Sequence, residues 1–485
     1  MGTWKIVANT IYYGVVPKLT FLASLVVTPL ITPFLTPADY GIQGVISSYT
    51  SLLAVIAPLG FHVHLTNSFY EYKENYRLVW GRVLYIFLVS GIVFGLVDAL
   101  LLWLVLPMEP SLELAALCLL GAIPVLLFGN NLVASHLFPL LARPQPLVLT
   151  NLLCSLAGTA LLFTMVYGFH LGYWGLIAAG GLSAILSFGI FARILWTGYH
   201  IKPIMERNAR RFTRMLKVAL PLIPHALGFV LLTSSSRIVM TWYQVPLDEI
   251  GLFTHGCAMG EMGMFLTTAL TTALAPQIQT AYRNGNLQAY RKLYYICQLA
   301  SLTVSVMICL WMQEIYTLLI RNDELSMSAG IATLMCFANV VYPFYTFMSV
   351  PAFIEKNTLQ LLWLVFVPGL LNIAICAALI PVWGYKVAIY STMLSYWSQL
   401  AIPLWNRFYK QHVGAWLGSL DFGGTGARRC EGAIKLLAVA GLFAGCVLLF
   451  NYINHVALGY KVAITLMVLM LFGSIYSMKK LYKVL

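Results

Sequence analysis

Residues 221–251 read PLIPHALGFVLLTSSSRIVMTWYQVPLDEIG. The first part, Pro221 to Trp242, is mostly apolar and long enough to cross a bilayer, which takes about 20 residues of helix. Yet it carries His225, the hydroxyl run Thr233–Ser236 and Arg237. A guanidinium at the centre of a spanning helix costs roughly 2.5–3.5 kcal/mol on insertion scales. A helix that keeps one faces something other than lipid. The second part, VPLDEIG from Val245 to Gly251, has an earlier counterpart in TPADYG, Thr36 to Gly41. The two glycines lie 210 positions apart.

That echo is one of three. Pro17-Lys18 in the first apolar run matches Pro224-His225 in the seventh, at an offset of 207. GYWGLIA at Gly172 opens the sixth run and GYKVAIY at Gly384 opens the twelfth, at an offset of 212. Three matches in order, at nearly constant spacing and at the same points of the topology, indicate an internal repeat. Six spans per half is an even number, so both halves enter the membrane in the same sense. This predicts a parallel repeat about an axis along the membrane normal. GYKVAI recurs at Gly459, but a Gly-Tyr-Lys start also suits the headgroup level on its own. The last two spans therefore read as an appended pair.

Composition supports this reading. Of the 485 residues, 60% are apolar and only 9% are charged, which places the chain among integral membrane proteins. Fourteen apolar runs are long enough to span: about 6–35, 41–66, 79–106, 113–138, 146–168, 172–198, 215–243, 250–276, 289–320, 326–354, 359–381, 385–406, 433–453 and 459–478. The expected architecture is all-α and polytopic. Two six-helix lobes, residues 1–200 and 201–410, surround a central cavity; residues 411–485 supply a cytoplasmic linker and spans 13 and 14.

The net charge of +13 does not point to nucleic acid. With each run crossing once from a cytoplasmic start, 24 of the 29 Lys and Arg fall on the inner side, and only Arg321, Lys386 and Lys461 fall at outer ends. This is the positive-inside bias, and it puts both termini in the cytoplasm. Lys5 before a long apolar run reads as a retained first helix. Nine cysteines form no C-x-x-C pair, so neither a disulfide framework nor a zinc site is implied.

Enzyme signatures are missing from the sequence. The longest loops, about 199–214 and 407–432, are too short to bury a core. GGTGARR, Gly423 to Arg429, lacks the Lys-Ser/Thr of a phosphate loop. No H-E-x-x-H or G-x-S-x-G occurs. The expectation is a transporter without a cofactor, driven by an ion gradient (H+ or Na+), by substrate asymmetry or by a partner.

Five ionisable residues inside the runs are the candidate site. Lys18 and His225 follow the matched prolines, and Arg237 lies in the outer half of span 7. His225 and Arg237 are about 18 Å apart along an unbent helix and differ by about 120° in direction, so together they border a tall cavity rather than one narrow pocket. These three are the expected substrate-binding residues. Asp98, in the outer half of span 3, and Glu261, near the middle of span 8, are the expected ion-coupling residues. Glu261, Met264, Thr268 and Thr272 form a mildly polar stripe at helical spacing. Plainer readings stand beside these: Lys18 and Arg237 snorkel to the interfaces, Asp98 and Arg237 form a structural ion pair, and Glu261 is neutral and hydrogen-bonded. His62, His64, His136 and His255 read as neutral polar groups at interfaces. Gly256 and Gly260 form a G-x-x-x-G suited to close helix contact.

The opening NTIYYGVVPKLTFLASLVVTPLITPFLTPADYGI (residues 9–42), the stretch LPLIPHALGFVLLTSSSRIVM (220–240), the DYG turn and EIGLF (249–253) resemble the polysaccharide-export (Wzx-type) flippases of the multidrug/oligosaccharidyl-lipid/polysaccharide exporter superfamily. The similarity is good over spans 1–2 and 7–8 and weaker elsewhere. Two features depart from it. Members often carry Asp-Arg in span 7, where this chain has Ser236-Arg237; and many members have twelve spans, whereas fourteen resembles the lipid II flippase branch. The resemblance implies a two-lobed transporter in the bacterial cytoplasmic membrane. It would move an undecaprenyl-diphosphate-linked glycan from the inner to the outer leaflet by alternating access, with membrane lipids and polysaccharide polymerase or assembly proteins as partners. The alternatives are a multidrug or cation antiporter of the same superfamily, whose cavity should be acidic, a membrane-embedded glycosyl-transfer enzyme, which needs a large outer loop, and a non-transporting assembly scaffold.

Overall fold

The computed structural model describes residues 16–417, apart from 73–74, 207–208, 221–222 and 356. Spans 13 and 14 and the GGTGARR linker lie outside the described residues. Within those residues the chain is helical, with no strand. The helices are α1 (Val16–Ile31), α2 (Pro37–Ile56), α3 (His62–Glu71), α4 (Tyr76–Val105), α5 (Leu112–Leu126), α6 (Phe128–Leu140), α7 (Gln145–Phe163), α8 (Tyr173–Arg193), α9 (Ala209–Ala219), α10 (Ile223–Trp242), α11 (Leu247–Gly260), α12 (Met262–Arg283), α13 (Leu287–Leu310), α14 (Met312–Leu319), α15 (Ala329–Ala338), α16 (Tyr342–Ile354), α17 (Thr358–Trp383), α18 (Val387–Ser398) and α19 (Arg407–Leu417).

Eight helices or helix pairs among the described residues are long and apolar enough to cross a membrane: 76–105, 112–140, 145–168, 173–198, 223–242, 287–310, 329–354 and 359–383. They match expected spans 3–7 and 9–11. Spans 2, 8 and 12 fall on helices interrupted part-way. The break in span 2 has a clear cause: Pro58, Leu59 and Gly60 follow one another, and Leu59 and Gly60 take positive φ of 50° and 70°. Span 8 breaks at Glu261, between α11 and α12.

The chain groups into two compact units. Among the described residues, one holds 16–254 with 319–325 and 373–385; the other holds 255–318, 326–372 and 386–417. This grouping follows contact, whereas the sequence repeat follows helix order, and the two need not coincide. In the first unit α4 packs on α5, α5 and α7 pack on α8, α1 packs on α7, and α10 packs on α2. Its core holds fully buried Phe61, Trp80, Phe87, Phe138 and Phe191. Trp80 Nε1 donates to the Leu65 carbonyl at 3.0 Å, so the indole leaves no unmet donor in that core. The linker helix α9 lays Phe212, Met215 and Leu216 on this cluster and leaves Arg210 and Lys217 exposed. His64 Nε2 bonds the Met215 carbonyl at 2.9 Å.

In the second unit α13 packs against α12, α15 and α19, and α15 packs on α18. The G-x-x-x-G pair makes the close contact expected of it. A Cβ on Gly256 would stand 2.7 Å from Ile331 Cβ, and one on Gly260 would stand 2.5 Å from the Ala332 carbonyl oxygen. His255 Nδ1 bonds Ser328 Oγ at 2.8 Å, a hydroxyl that Tyr316 shares at 2.9 Å. His64 and His255 thus each make a hydrogen bond at a helix interface. The seven described cysteines are all buried and free.

Candidate functional site

The first unit contains a seam at which the matched turns meet. A Cβ added to Gly251 would lie 1.7 Å from the Pro37 carbonyl oxygen and 2.9 Å from Gly41 N. One added to Gly41 would lie 2.1 Å from the Leu247 carbonyl oxygen. Pro37 and Leu247 are related by the same 210-residue offset as Gly41 and Gly251. Each matched glycine therefore abuts the counterpart of the residue that the other glycine abuts. Such a reciprocal contact is what a twofold axis produces. One turn further on, Gly44 faces Thr254, again at an offset of 210.

The ends of this seam are tied by polar groups. Thr36 and Asp39 form a capping box at the start of α2. Asp39 Oδ1 also accepts the Tyr173 N–H at 2.8 Å, next to Gly172 with φ of 52°. In the other half Gly384 has φ of 77°, and the Glu249 carboxylate lies within electrostatic reach of Tyr385. Positive φ at both matched glycines is a backbone demand that few other residues meet. Asn322 Nδ2 donates to the Thr32 carbonyl at 3.1 Å and the Leu35 carbonyl at 2.9 Å, capturing the end of α1.

Beside the seam runs α10. Ser234, Ser235 and Ser236 are buried. Ser234 Oγ meets Ser51 Oγ of α2 at 3.3 Å, Tyr49 and Thr241 share a hydroxyl bond of 3.1 Å, and Cys376 Sγ reaches Ser236 Oγ at 3.6 Å. Ser234 and Ser236 therefore serve close helix contact. The Arg237 guanidinium carbon lies 5.8 Å from the centroid of the Phe253 ring, in cation–π range. Its Nε is buried without a hydrogen-bond partner among the described residues.

The other expected site residues separate. His225 is third in α10, half-buried, and its Nε2 is also buried without a partner among the described residues. Lys18 is third in α1, but its side chain is not among those described. Asp98 is fully buried on α4. It accepts the Thr50 hydroxyl on Oδ2 at 2.9 Å, while Oδ1 is buried with no partner among the described residues. Asp98 and Arg237 form no ion pair. Glu261 belongs to the second unit and is exposed at the α11–α12 break. Sequence reasoning missed Thr50, Asn322 and the Asp39–Tyr173 link. Only Asp39 left a signal, as the fourth residue of a Thr-x-x-Asp start.

A family model described as polysaccharide biosynthesis protein matches residues 6–281, more than half of the chain. The chain belongs to that family. Solved structures share the fold. The chain is 12% identical to a structure titled lipid II flippase MurJ, inward closed conformation, with a TM-score of 0.64, covering 92% of this chain and 99% of that one. It is 13% identical to an inward-facing multidrug resistance MATE family transporter of the MOP superfamily, with a TM-score of 0.61, covering 82% and 96%. A MATE structure in complex with MaL6 follows, at 13% identity and a TM-score of 0.51 over 85% and 95%. No curated protein sequence matches. The family member is thus a multi-pass membrane protein with the fold of MOP-superfamily transporters, as the resemblance implied.

Proposed function

We propose that this family member is a flippase that carries undecaprenyl-diphosphate-linked oligosaccharide repeat units across the bacterial cytoplasmic membrane. Lys18, His225 and Arg237 contact the diphosphate, and both termini are cytoplasmic. The observation that carries this reading is Arg237: a cation inside a spanning helix, with no carboxylate partner among the described residues and one guanidinium nitrogen buried and unsatisfied. A buried, unsatisfied guanidinium nitrogen with no counter-charge is costly, and an incoming dianion offsets that cost. A planar guanidinium also suits phosphate oxygens geometrically. The lipid tail stays in the bilayer while the glycan crosses, and an ion gradient drives repeated cycles by alternating access. A multidrug antiporter has the same fold, but a binding region built on Lys, His and Arg suits an anion rather than a cationic drug.

The test is reconstitution of the purified protein in liposomes with lipid-linked oligosaccharides, scoring glycan appearance in the far leaflet. Wild-type protein should translocate; Arg237→Ala should not, at normal membrane levels. Normal translocation by Arg237→Ala removes Arg237 from the site.

A further inference from the structure

The two candidate coupling acids have very different surroundings. Glu261 is exposed, whereas Asp98 is sealed within the first unit. On α2, the Thr50 hydroxyl lies 2.9 Å from Asp98 Oδ2 and 3.4 Å from the carbonyl oxygen of Gly121 on α5. Besides Thr50, the titratable neighbour of Asp98 is Cys118, also on α5. α3 and α6 meet α4 around Trp80 and Phe87, more than ten residues nearer its start. Among the described residues, no cation faces Asp98.

A carboxylate with one donor, one orphan oxygen and no counter-charge is expensive at this depth. The neutral acid resolves the geometry. A proton on Oδ2 lets the acid donate to Thr50 Oγ1. The Thr50 hydroxyl, which has only one proton, then turns to the Gly121 carbonyl. On loss of the proton, that hydroxyl turns back to donate to Oδ2. Each state leaves Thr50 bonded, and the exchange moves one proton and one hydroxyl rotor.

We infer that Asp98, Thr50 and the Gly121 carbonyl form the proton-binding site of this transporter, with Thr50 reporting the protonation state of Asp98 to α2. The consequence lies in the neighbours of Thr50. Tyr49 and Ser51, on either side of it, bond Thr241 and Ser234 of α10, the helix that carries Arg237. Proton uptake at Asp98 therefore acts on the helix pair that holds the proposed phosphate ligand. This deepens the flippase reading and rests on it for the meaning of the coupling, though not for the existence of the site.

Infrared difference spectra of the purified full chain, between alkaline and acid buffers, test the site without any substrate. A protonated carboxylic acid has a C=O stretch separate from that of carboxylates. Asp98→Asn should remove one such band, Thr50→Val should shift it and Thr50→Ser should restore it. A full set of acid bands in Asp98→Asn overturns the proposal. In liposomes, wild-type translocation should fall when a protonophore collapses the pH gradient and hold when a sodium gradient is collapsed. Asp98→Asn should lose the response to the protonophore. If Asp98→Asn translocates with wild-type sensitivity, the proton site is wrong and the flippase reading stands. If the bands behave as expected but wild-type protein moves no lipid-linked glycan, the site stands and the flippase reading falls.

Discussion

Gly251→Ala should pry open the seam between α2 and α11. Its Cβ would stand 1.7 Å from the Pro37 carbonyl oxygen, a backbone atom with no rotamer to yield. Uncrowded carbon contacts begin near ~3.5 Å, so the two helix starts must part by on the order of 1.5 Å or distort. Overpacking of this kind costs about 1–3 kcal/mol, which moves the ratio of closed to parted seams by about 5–150-fold. Thr254, buried against Gly44, provides a reporter. In Thr254→Cys protein, a membrane-impermeant maleimide should label the thiol slowly, because the closed seam covers it. Adding Gly251→Ala should raise the labelling rate by about the same 5–150-fold, since reaction through a fast opening tracks its population. Gly41→Ala alone should act similarly, with its Cβ 2.1 Å from the Leu247 carbonyl oxygen. The double variant should gain much less than the product of the two effects, because one parted seam relieves both clashes and neighbours are not additive. Wild-type labelling in Gly251→Ala protein of normal membrane level would refute the reasoning. So would two effects that multiply cleanly, since they would place the glycines in separate contacts.

Asn322→Ala removes both donors that hold the carbonyls of Thr32 and Leu35. It should cost about 1–3 kcal/mol, read as a lower melting temperature in detergent, while Asn322→Gln should recover part of the loss. Asp39→Asn keeps the size of the side chain but gives up the charge at the start of α2 and weakens the acceptor for the Tyr173 N–H. A loss of about 1 kcal/mol is expected in the same melting assay. Arg237→Lys keeps the charge but lacks the planar fork; in the liposome assay it should translocate more than Arg237→Ala and less than the wild type.

The fold was legible because membrane insertion writes itself in composition and order. Long apolar runs, lysines and arginines gathered between them, and matched turns at fixed offsets are one-dimensional signals. The repeat left the clearest of them: glycines 210 apart in the chain press against each other's neighbours in the first unit. Interruptions were less legible. Pro58 and Gly60 could have announced the break in span 2, but Glu261 sits at a break that no proline marks. The run Thr233–Ser236 suits a wet lining for Arg237 as readily as a helix contact, and its serines are buried, Ser234 and Ser236 against neighbouring helices. Composition cannot separate these readings, because a small hydroxyl suits water and a tight interface equally well, and only the neighbouring helix decides. Thr50 shows the same ambiguity in reverse. It is an ordinary threonine in an apolar run, and α4 and α5 alone bring a carboxylate and a carbonyl to its one hydroxyl. Charged residues were visible because insertion makes them rare; their uncharged partners were invisible because insertion tolerates them. A site built from one costly residue and several cheap ones is therefore half legible from sequence, and the hidden half determines whether the charge is paired, protonated or waiting for a ligand.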